Sequence, residues 1–142
     1  MPVMASIPQG AILSPILCNI YVADQPVSLL TVVAEFADDK VIYSSNANPL
    51  VVSNQLQNHL NQMEEWYSKW KVKINNEKSS HITFTLKKGI IPPLYLSNKI
   101  IPSVISVKYL GLILDKRLNW VKHFKQKRLL LNVRRKSLYP LK

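Results

Sequence analysis

The sequence predicts an α+β fold in which helices pack on one face of an antiparallel sheet. Three observations favour it. Apolar residues recur at helical spacing between Leu50 and Lys71, short β-branched runs lie between turn signals on both sides of that segment, and a basic helical pattern closes the chain. The length of 142 residues suits one domain, and the 47% hydrophobic content excludes a disordered tail.

The first predicted element is a buried helix from about Pro15 to Ala23, with Ser14 as its N-cap and Pro15 in its first turn. Residues 24–26 end it. Cys18 lies in this apolar stretch, and we expect a small buried side chain rather than a nucleophile. Because a lone cysteine cannot form an internal disulfide, a reducing compartment is favoured, which predicts an intracellular protein of the cytoplasm or nucleus.

Two short strands are predicted next, joined by a tight turn. Apolar and β-branched residues fill 29–36 and 40–44, on either side of Ala37-Asp38-Asp39. Adjacent carboxylates in an apolar hairpin repel each other, and a divalent cation would remove that repulsion. The alternative is that aspartate is simply a good turn residue and that both side chains face water.

The middle helix has the clearest pattern in the sequence. Trp66 and Tyr67 offer rings on which bases could stack, although aromatic residues at helical spacing are more often part of a core. Between Leu50 and Lys71 the apolar residues follow steps of four, three, four and three, which predicts a face packed against a sheet: Leu56, Leu60, Met63, Tyr67 and Trp70.

The last part of the chain is predicted to hold further strands and a basic helix. Strand-like runs cover 72–74, 81–86 and 108–114, and a helix rich in Lys and Arg covers 121–139. Turns between short edge elements are predicted at Pro92-Pro93, Asn98 and Pro102.

Charge is distributed unevenly along the chain. The net charge is +11, yet residues 1–39 carry four acidic and no basic side chains, whereas residues 116–142 carry ten basic and no acidic ones. Such a basic segment favours a polyanionic partner such as nucleic acid. The longest apolar runs are broken or shorter than the ~20 residues of a membrane span, so we expect no membrane partner.

Four ordered segments resemble the reverse transcriptases, or RNA-directed DNA polymerases, of jockey-like non-LTR retrotransposons. They are residues 6–15, with the sequence SIPQGAILSP, residues 36–39, residues 70–75 with Lys78-Ser79, and residues 108–115 with Leu118 and Trp120. The resemblance implies that residues 1–115 form part of a polymerase palm and that residues 116–142 are a basic helical segment at the start of the thumb.

The resemblance also implies roles for individual residues. The catalytic residues would be Asp38, a ligand of Mg²⁺ or Mn²⁺, and Asp39, a weaker or auxiliary acid in the same metal site, together with Lys78, which would protonate the pyrophosphate leaving group. Lys78 is equally well explained as an exposed lysine in a turn. The incoming nucleotide and the template would lie against Pro8, Gln9, Gly10 and Phe36, and the primer would be supported by Tyr109, Leu110 and Gly111.

The partners implied for the intact enzyme are an RNA template, a DNA primer and deoxynucleoside triphosphates. The nucleic-acid backbone would contact the cations of the last helix, Lys122, Lys125, Lys127, Arg128, Arg134, Arg135 and Lys136. In the family a further metal-binding aspartate and the fingers precede the 8–10 loop, so we expect a truncated copy with weak or no Mg²⁺ binding and little activity. The alternatives are a non-catalytic basic RNA- or DNA-binding module and an unstable pseudogene product.

Overall fold

The chain combines helices with antiparallel β-hairpins, which agrees with the predicted α+β class. The computed structural model describes residues 13–37, 39–87, 89 and 91–139. The chain divides into two compact units, Met1–Ile74 and Asn75–Lys142, called here the N-terminal and the C-terminal unit. The first holds α1 (Ser14–Tyr21), β1 (Val32–Phe36), β2 (Asp39–Tyr43) and α2 (Pro49–Lys69), and the second β3 (Tyr95–Leu96), β4 (Lys99–Ile100), β5 (Ser106–Tyr109), β6 (Leu112–Asp115) and α3 (Val121–Leu138).

Helix α1 forms where the sequence predicts it, but the prediction that it is buried is wrong for the described residues. Its N-cap is Leu13 and not Ser14, and no side chain caps it, although the proline does lie in the first turn. No residue of α1 is buried, and Cys18 is exposed. An apolar sequence alone does not bury a helix, because a packing partner must also be present. Tyr21, the last residue of α1, does contact Trp66 of α2 and Trp70 just after it.

Helix α2 begins with a strong local signal. The Asn48 side chain accepts a hydrogen bond from the Leu50 N–H at 3.0 Å, and Pro49 occupies the first turn, where no N–H partner is needed. The helix ends at Lys69, and Lys71 has a φ of +55°, which turns the chain away from the helical path.

The buried face of α2 is rotated relative to the predicted one. Leu56 and Met63 are buried as predicted, but Trp70 is 37% exposed, and Leu60 and Tyr67 are only half-buried. The described buried residues of the helix are Ser53, Leu56, His59, Met63 and Trp66. Hydrophobic spacing alone predicts that Tyr67 is buried. His59 and Trp66 are buried instead, and both have polar partners on the chain between α1 and β1.

His59 is almost fully buried, with 1% of its surface exposed, and both ring nitrogens have partners. Nε2 lies 3.1 Å from the carbonyl oxygen of Pro26, and Nδ1 contacts the Thr31 hydroxyl. Because a carbonyl oxygen only accepts, Nε2 donates to Pro26, while Nδ1 shares a hydrogen bond with the Thr31 hydroxyl. The imidazole thereby ties α2 to the segment that leads into β1.

Asp24 makes a second connection between α2 and the chain that follows α1. One carboxylate oxygen accepts from Trp66 Nε1 at 2.9 Å, and the other accepts from Trp70 Nε1 at 3.2 Å. The Tyr21 ring packs edge-on against both indoles, with centroid distances of 6.2 and 5.0 Å. The Asp24 carboxylate therefore accepts from two indoles, which also contact the Tyr21 ring.

The C-terminal unit contains two short hairpins, β3–β4 and β5–β6. Both turns have two central residues with positive φ: Ser97 and Asn98 at +50° and +58°, and Leu110 and Gly111 at +45° and +79°. This geometry matches the right-handed twist of paired strands. The predicted turn at Asn98 is confirmed, whereas the predicted single strand over 108–114 is wrong because the turn at 110–111 folds that run back on itself.

The described strands form three separate two-stranded antiparallel sheets rather than the single sheet that was predicted. The runs 72–74 and 81–86 contain no strand, and only an isolated bridge pairs His81 with Ser103. Proline supplies no N–H to a ladder, and Pro92, Pro93 and Pro102 interrupt the segments that would have to pair. The buried apolar residues of this unit are Leu94, Leu96 and Ile101.

The segment between β6 and α3 is organised by the Asp115 carboxylate, which is 8% exposed. It accepts hydrogen bonds from the N–H groups of Arg117 at 3.0 Å, Asn119 at 3.2 Å and Trp120 at 3.0 Å. Burial raises the pKa of this carboxyl, but the N–H groups of Asn119, Arg117 and Trp120 and the positive Lys122 outweigh it, so its pKa lies below the ordinary value.

Helix α3 confirms the predicted basic helix, and none of its residues is buried. His123 Nδ1 accepts from the Ile113 N–H at 3.3 Å, and Lys122 Nζ donates to the Ser106 hydroxyl at 3.0 Å, so the first turn is joined to the β5–β6 hairpin. Within the part of the chain that the structure describes, no helix combines the length and apolarity needed to cross a bilayer.

Replacing Asp24 should destabilise the N-terminal unit. In Asp24→Ala the partly buried Trp66 indole N–H loses its acceptor, and we expect the free energy of unfolding to fall by about 1–3 kcal/mol. Urea unfolding followed by tryptophan fluorescence measures the loss. Asp24→Asn keeps one acceptor oxygen and should lose less, and Glu77→Ala, at an exposed turn residue, serves as the matched acidic control. An unchanged midpoint in Asp24→Ala would contradict this account.

The Asp115 contribution should depend on pH. Since the folded pKa lies below the unfolded one, its stabilisation is fully present above the ordinary pKa and is lost as the pH falls through the lowered value. Asp115→Asn should therefore reduce stability more at about pH 7 than at about pH 3, as measured by urea unfolding. Glu77→Gln is the control, and an equal deficit of Asp115→Asn at both pH values would refute the assignment.

Candidate functional site

The carboxylate-bearing hairpin lies in the N-terminal unit and has a defined register. The last two pairs of β1 and β2 are Glu35 with Lys40 and Phe36 with Asp39, so two positions separate the paired strand ends, and Ala37 is the first of them. Ala37 has a φ of +55°, the sign that the first loop residue of a two-residue hairpin requires. The predicted hairpin is confirmed, with Asp39 in the strand rather than in the turn. Asp38 itself lies outside the described residues.

Asp39 begins β2 and is exposed, opposite Phe36, which is 64% exposed. Successive side chains of a strand point to opposite faces, so Phe36 and Asp39 share one face of the hairpin, and Glu35 and Lys40 share the other. Pro8, Gln9 and Gly10, the other residues predicted to contact nucleotide and template, lie outside the described residues.

The opposite face of the hairpin holds an ion pair that sequence reasoning did not find. Lys40 Nζ lies 2.7 Å from Glu35 Oε1 and donates to Gln25 Oε1 at 2.5 Å. Gln25 Nε2 in turn donates to Glu35 Oε2 at 2.8 Å, which closes a triangle of polar contacts. The Lys40 ammonium also lies 5.5 Å from the Trp66 ring centroid and 5.4 Å from that of Tyr67.

These four residues around Lys40 are called here the Lys40 cage: Gln25, Glu35, Trp66 and Tyr67. In the sequence Lys40 directly follows the two aspartates. The signal that could have identified the cage is the pairing register, which puts Lys40 opposite Glu35 once the turn is known to hold two residues.

The donor chemistry at the hairpin suits a hard divalent cation. Carboxylate oxygens are preferred ligands of Mg²⁺, which commonly takes one or two of them together with phosphate oxygens of the substrate. Among the described residues, no group of three or more His, Cys, Asp or Glu side chains could hold a metal, and Glu35 is engaged by Lys40. Asp39 is an exposed carboxylate on the face of the hairpin opposite to the Lys40 side chain.

Two further groups of predicted site residues lie in the C-terminal unit. Lys78 is exposed in a turn, where its backbone N–H bonds to Asn75. Tyr109 ends β5, and Leu110 and Gly111 form the turn to β6, so the three residues predicted to support the primer are contiguous at one hairpin end.

All seven predicted backbone-contacting cations lie on α3 and are exposed. No acidic side chain occurs in the helix, so its positive charge is not neutralised within α3 itself. A shallow depression at the first turn of α3 is lined in part by Lys116, Arg117 and Lys122, which extends the positive surface beyond the helix.

Comparison with known proteins connects these features to a family. The chain matches the family described as reverse transcriptase (RNA-dependent DNA polymerase) over residues 1–114. It is 36% identical over 126 residues to the probable RNA-directed DNA polymerase from transposon X-element of Drosophila melanogaster, covering 85% of this chain and 14% of that protein. No solved structure matches the chain.

Two polymerases from the mobile element jockey show the same relationship. The one from Drosophila melanogaster is 30% identical over 130 residues, covering 86% of this chain, and the one from Drosophila funebris is 32% identical over 127 residues, covering 84%. In both cases the chain spans 14% of the relative's length. With a family match over most of its residues, the chain belongs to the reverse transcriptase family and is of the jockey-like, non-LTR retrotransposon kind.

Proposed function

We propose that the chain contributes palm residues 1–115 and the start of the thumb, residues 116–142, to a retrotransposon polymerase that extends a DNA primer on an RNA template. The observation that carries this proposal is the two-residue hairpin loop, which lies in a family-matched segment and places Asp39 at the start of β2 directly after Asp38. Deoxynucleoside triphosphates would be the substrates, and the complete protein would act inside the cell, in the cytoplasm or nucleus.

Asp38 and Asp39 would hold Mg²⁺, or Mn²⁺, at this hairpin. When bound, the ion supplies charge stabilisation to phosphate oxygens during displacement of pyrophosphate. The chain's own residues would do the rest. Phe36, exposed on the same strand face as Asp39, offers a flat ring beside the nucleotide, and Lys78 Nζ would donate a proton to the leaving pyrophosphate. The Pro8-Gln9-Gly10 loop would adjoin the templating base.

Nucleic acid would be held by the C-terminal unit. The exposed cations of α3 would contact phosphates, and the β5–β6 turn at Tyr109, Leu110 and Gly111 would support the primer. An unburied helix with seven cations and no acid also favours a second candidate function, a non-catalytic nucleic-acid-binding module. The two functions differ in whether Asp38 is needed.

We further propose that the 142 residues alone incorporate nucleotides poorly. Within the described part of the chain the hairpin offers Asp39, and no cluster of three metal-binding side chains accompanies it. A polymerase site with two metal ions needs more carboxylate ligands than this. Cation binding by the isolated chain is accordingly expected to be weak, so that saturating it takes a higher Mn²⁺ concentration than a complete site would need.

Primer extension tests the catalytic proposal. In a chimera, residues 1–142 replace the matching segment of the X-element polymerase. We expect Asp38→Ala in this chimera to lower primer extension on an RNA template by roughly a hundredfold or more, because a metal ligand is lost. Glu77→Ala, which removes an exposed acid from a turn, should leave extension unchanged. Extension by Asp38→Ala at the parental rate, or aspartate-dependent synthesis by the isolated chain, would contradict the proposal.

Salt-dependent binding tests the role of α3. Neutralising Arg134, Arg135 and Lys136 to Gln should weaken RNA binding and lower the slope of log affinity against log salt by about two, since each phosphate contact contributes roughly 0.7 to 0.9. Fluorescence anisotropy with a labelled RNA gives both values. The matched control removes three exposed cations at 69, 71 and 73. Equal losses in both variants would show that net charge, and not α3, is responsible.

A further inference from the structure

Lys40 occupies a position that ought to weaken a cation site. It directly follows the two aspartates, and an ammonium on a flexible stem can pair with a neighbouring carboxylate. Such a pairing would compete with a divalent cation for Asp39. The structure instead directs the Lys40 ammonium to the other face of the hairpin, where it contacts Glu35 and Gln25.

The Lys40 ammonium has both polar and aromatic partners in the cage. Glu35 and Gln25 take two of its N–H directions at 2.7 and 2.5 Å, and the rings of Trp66 and Tyr67 cover it at 5.5 and 5.4 Å. The Lys40 side chain is only 19% exposed. Such a partly buried and multiply contacted cation is held more firmly than a surface ion pair.

Glu35 is the acidic residue of the cage, and its carboxylate balances the positive charge of Lys40. It cancels the Lys40 charge and lies opposite it in the strand pairing, and Gln25 fixes its second oxygen at 2.8 Å. Without the Glu35 carboxylate, Lys40 would carry an uncompensated positive charge one residue from Asp39. Coulomb repulsion would then oppose a divalent cation at the hairpin.

We propose that Glu35 is a positioning residue, which keeps the Lys40 ammonium in its cage and leaves the Asp39 carboxylate available to a divalent cation. This inference rests on the cation site of the proposed function. It assigns to Glu35 an effect transmitted through Lys40, since Glu35 is itself engaged and does not need to touch the cation.

A charge cycle on the full 142-residue chain tests the inference. Mn²⁺ is titrated, and line broadening of the Ala37 and Asp39 amide signals reports its affinity. Glu35→Gln should weaken Mn²⁺ binding roughly three- to tenfold, and Lys40→Gln should strengthen it by a similar factor. The double variant Glu35→Gln/Lys40→Gln lacks the ammonium through which Glu35 acts, so it should bind Mn²⁺ like Lys40→Gln to within about twofold.

The double variant separates an effect through Lys40 from a direct effect of the Glu35 charge on the cation. A direct effect would return Mn²⁺ affinity to the wild-type value, and that result would overturn the inference. If Glu35 merely supported the hairpin fold, the double variant would bind Mn²⁺ as weakly as Glu35→Gln or more weakly, and that result would overturn the inference. The ring-current shift of the Lys40 side-chain protons is an independent measurement: it should be present in the wild type and lost in Glu35→Gln. Its absence in the wild type would also overturn the inference.

Asp39→Asn distinguishes this inference from the proposed cation site. It removes one of the two proposed carboxylate ligands, so it should reduce Mn²⁺-dependent broadening while leaving the Lys40 ring-current shift intact. If the wild-type amides do not broaden, or broaden equally in Asp39→Asn, the cation site fails. The sequestering of Lys40 by Glu35 is then decided by the ring-current measurement alone.

Discussion

The Asp24 carboxylate is the contact on which the N-terminal unit depends. By accepting from the Trp66 and Trp70 indoles it holds the end of α2 against the chain that follows α1. The Trp66 ring, oriented in this way, covers the Lys40 ammonium, and Lys40 in turn pairs with Glu35 across the hairpin. A series of direct contacts therefore leads from one acidic residue to the strand that carries Asp39, and each step requires the geometry of the one before it.

The hairpin combines a strained turn with a well-anchored base. Ala37 adopts a left-handed conformation that costs an L-residue about 1–2 kcal/mol, and the pair directly below the closing one, Glu35 with Lys40, is tied to Gln25 and to two aromatic rings. His59 adds a second anchor by bonding to Pro26 and Thr31, just before β1 begins. The anchors lie on the side away from Asp39, so the face that carries the carboxylate is left open.

In the C-terminal unit the buried carboxylate, Asp115, is stabilised by backbone N–H groups, whereas Glu35 in the N-terminal unit forms an ion pair with Lys40. Asp115 is an acid among cations, and its oxygens accept hydrogen bonds from three backbone N–H groups at the start of α3. The helix that follows has no acidic residue and none of its side chains is buried. Its positive charge is left unneutralised for a polyanion, which fits the thumb role proposed for residues 116–142.

The sequence alone was enough to predict the α+β class, all three helices, the aspartate hairpin, the basic helix and the family, because periodicity, turn chemistry and ordered motifs are local signals. It did not determine which surfaces find a partner. Helix α1 is apolar yet unburied, α2 is rotated toward Trp66, the run 108–114 is a hairpin, and Lys40 contacts Glu35 across the hairpin. Each of these outcomes depends on a residue distant in sequence or on the register of a turn. Tertiary structure decided them because contacts and hydrogen bonds form only once the chain has brought their partners together.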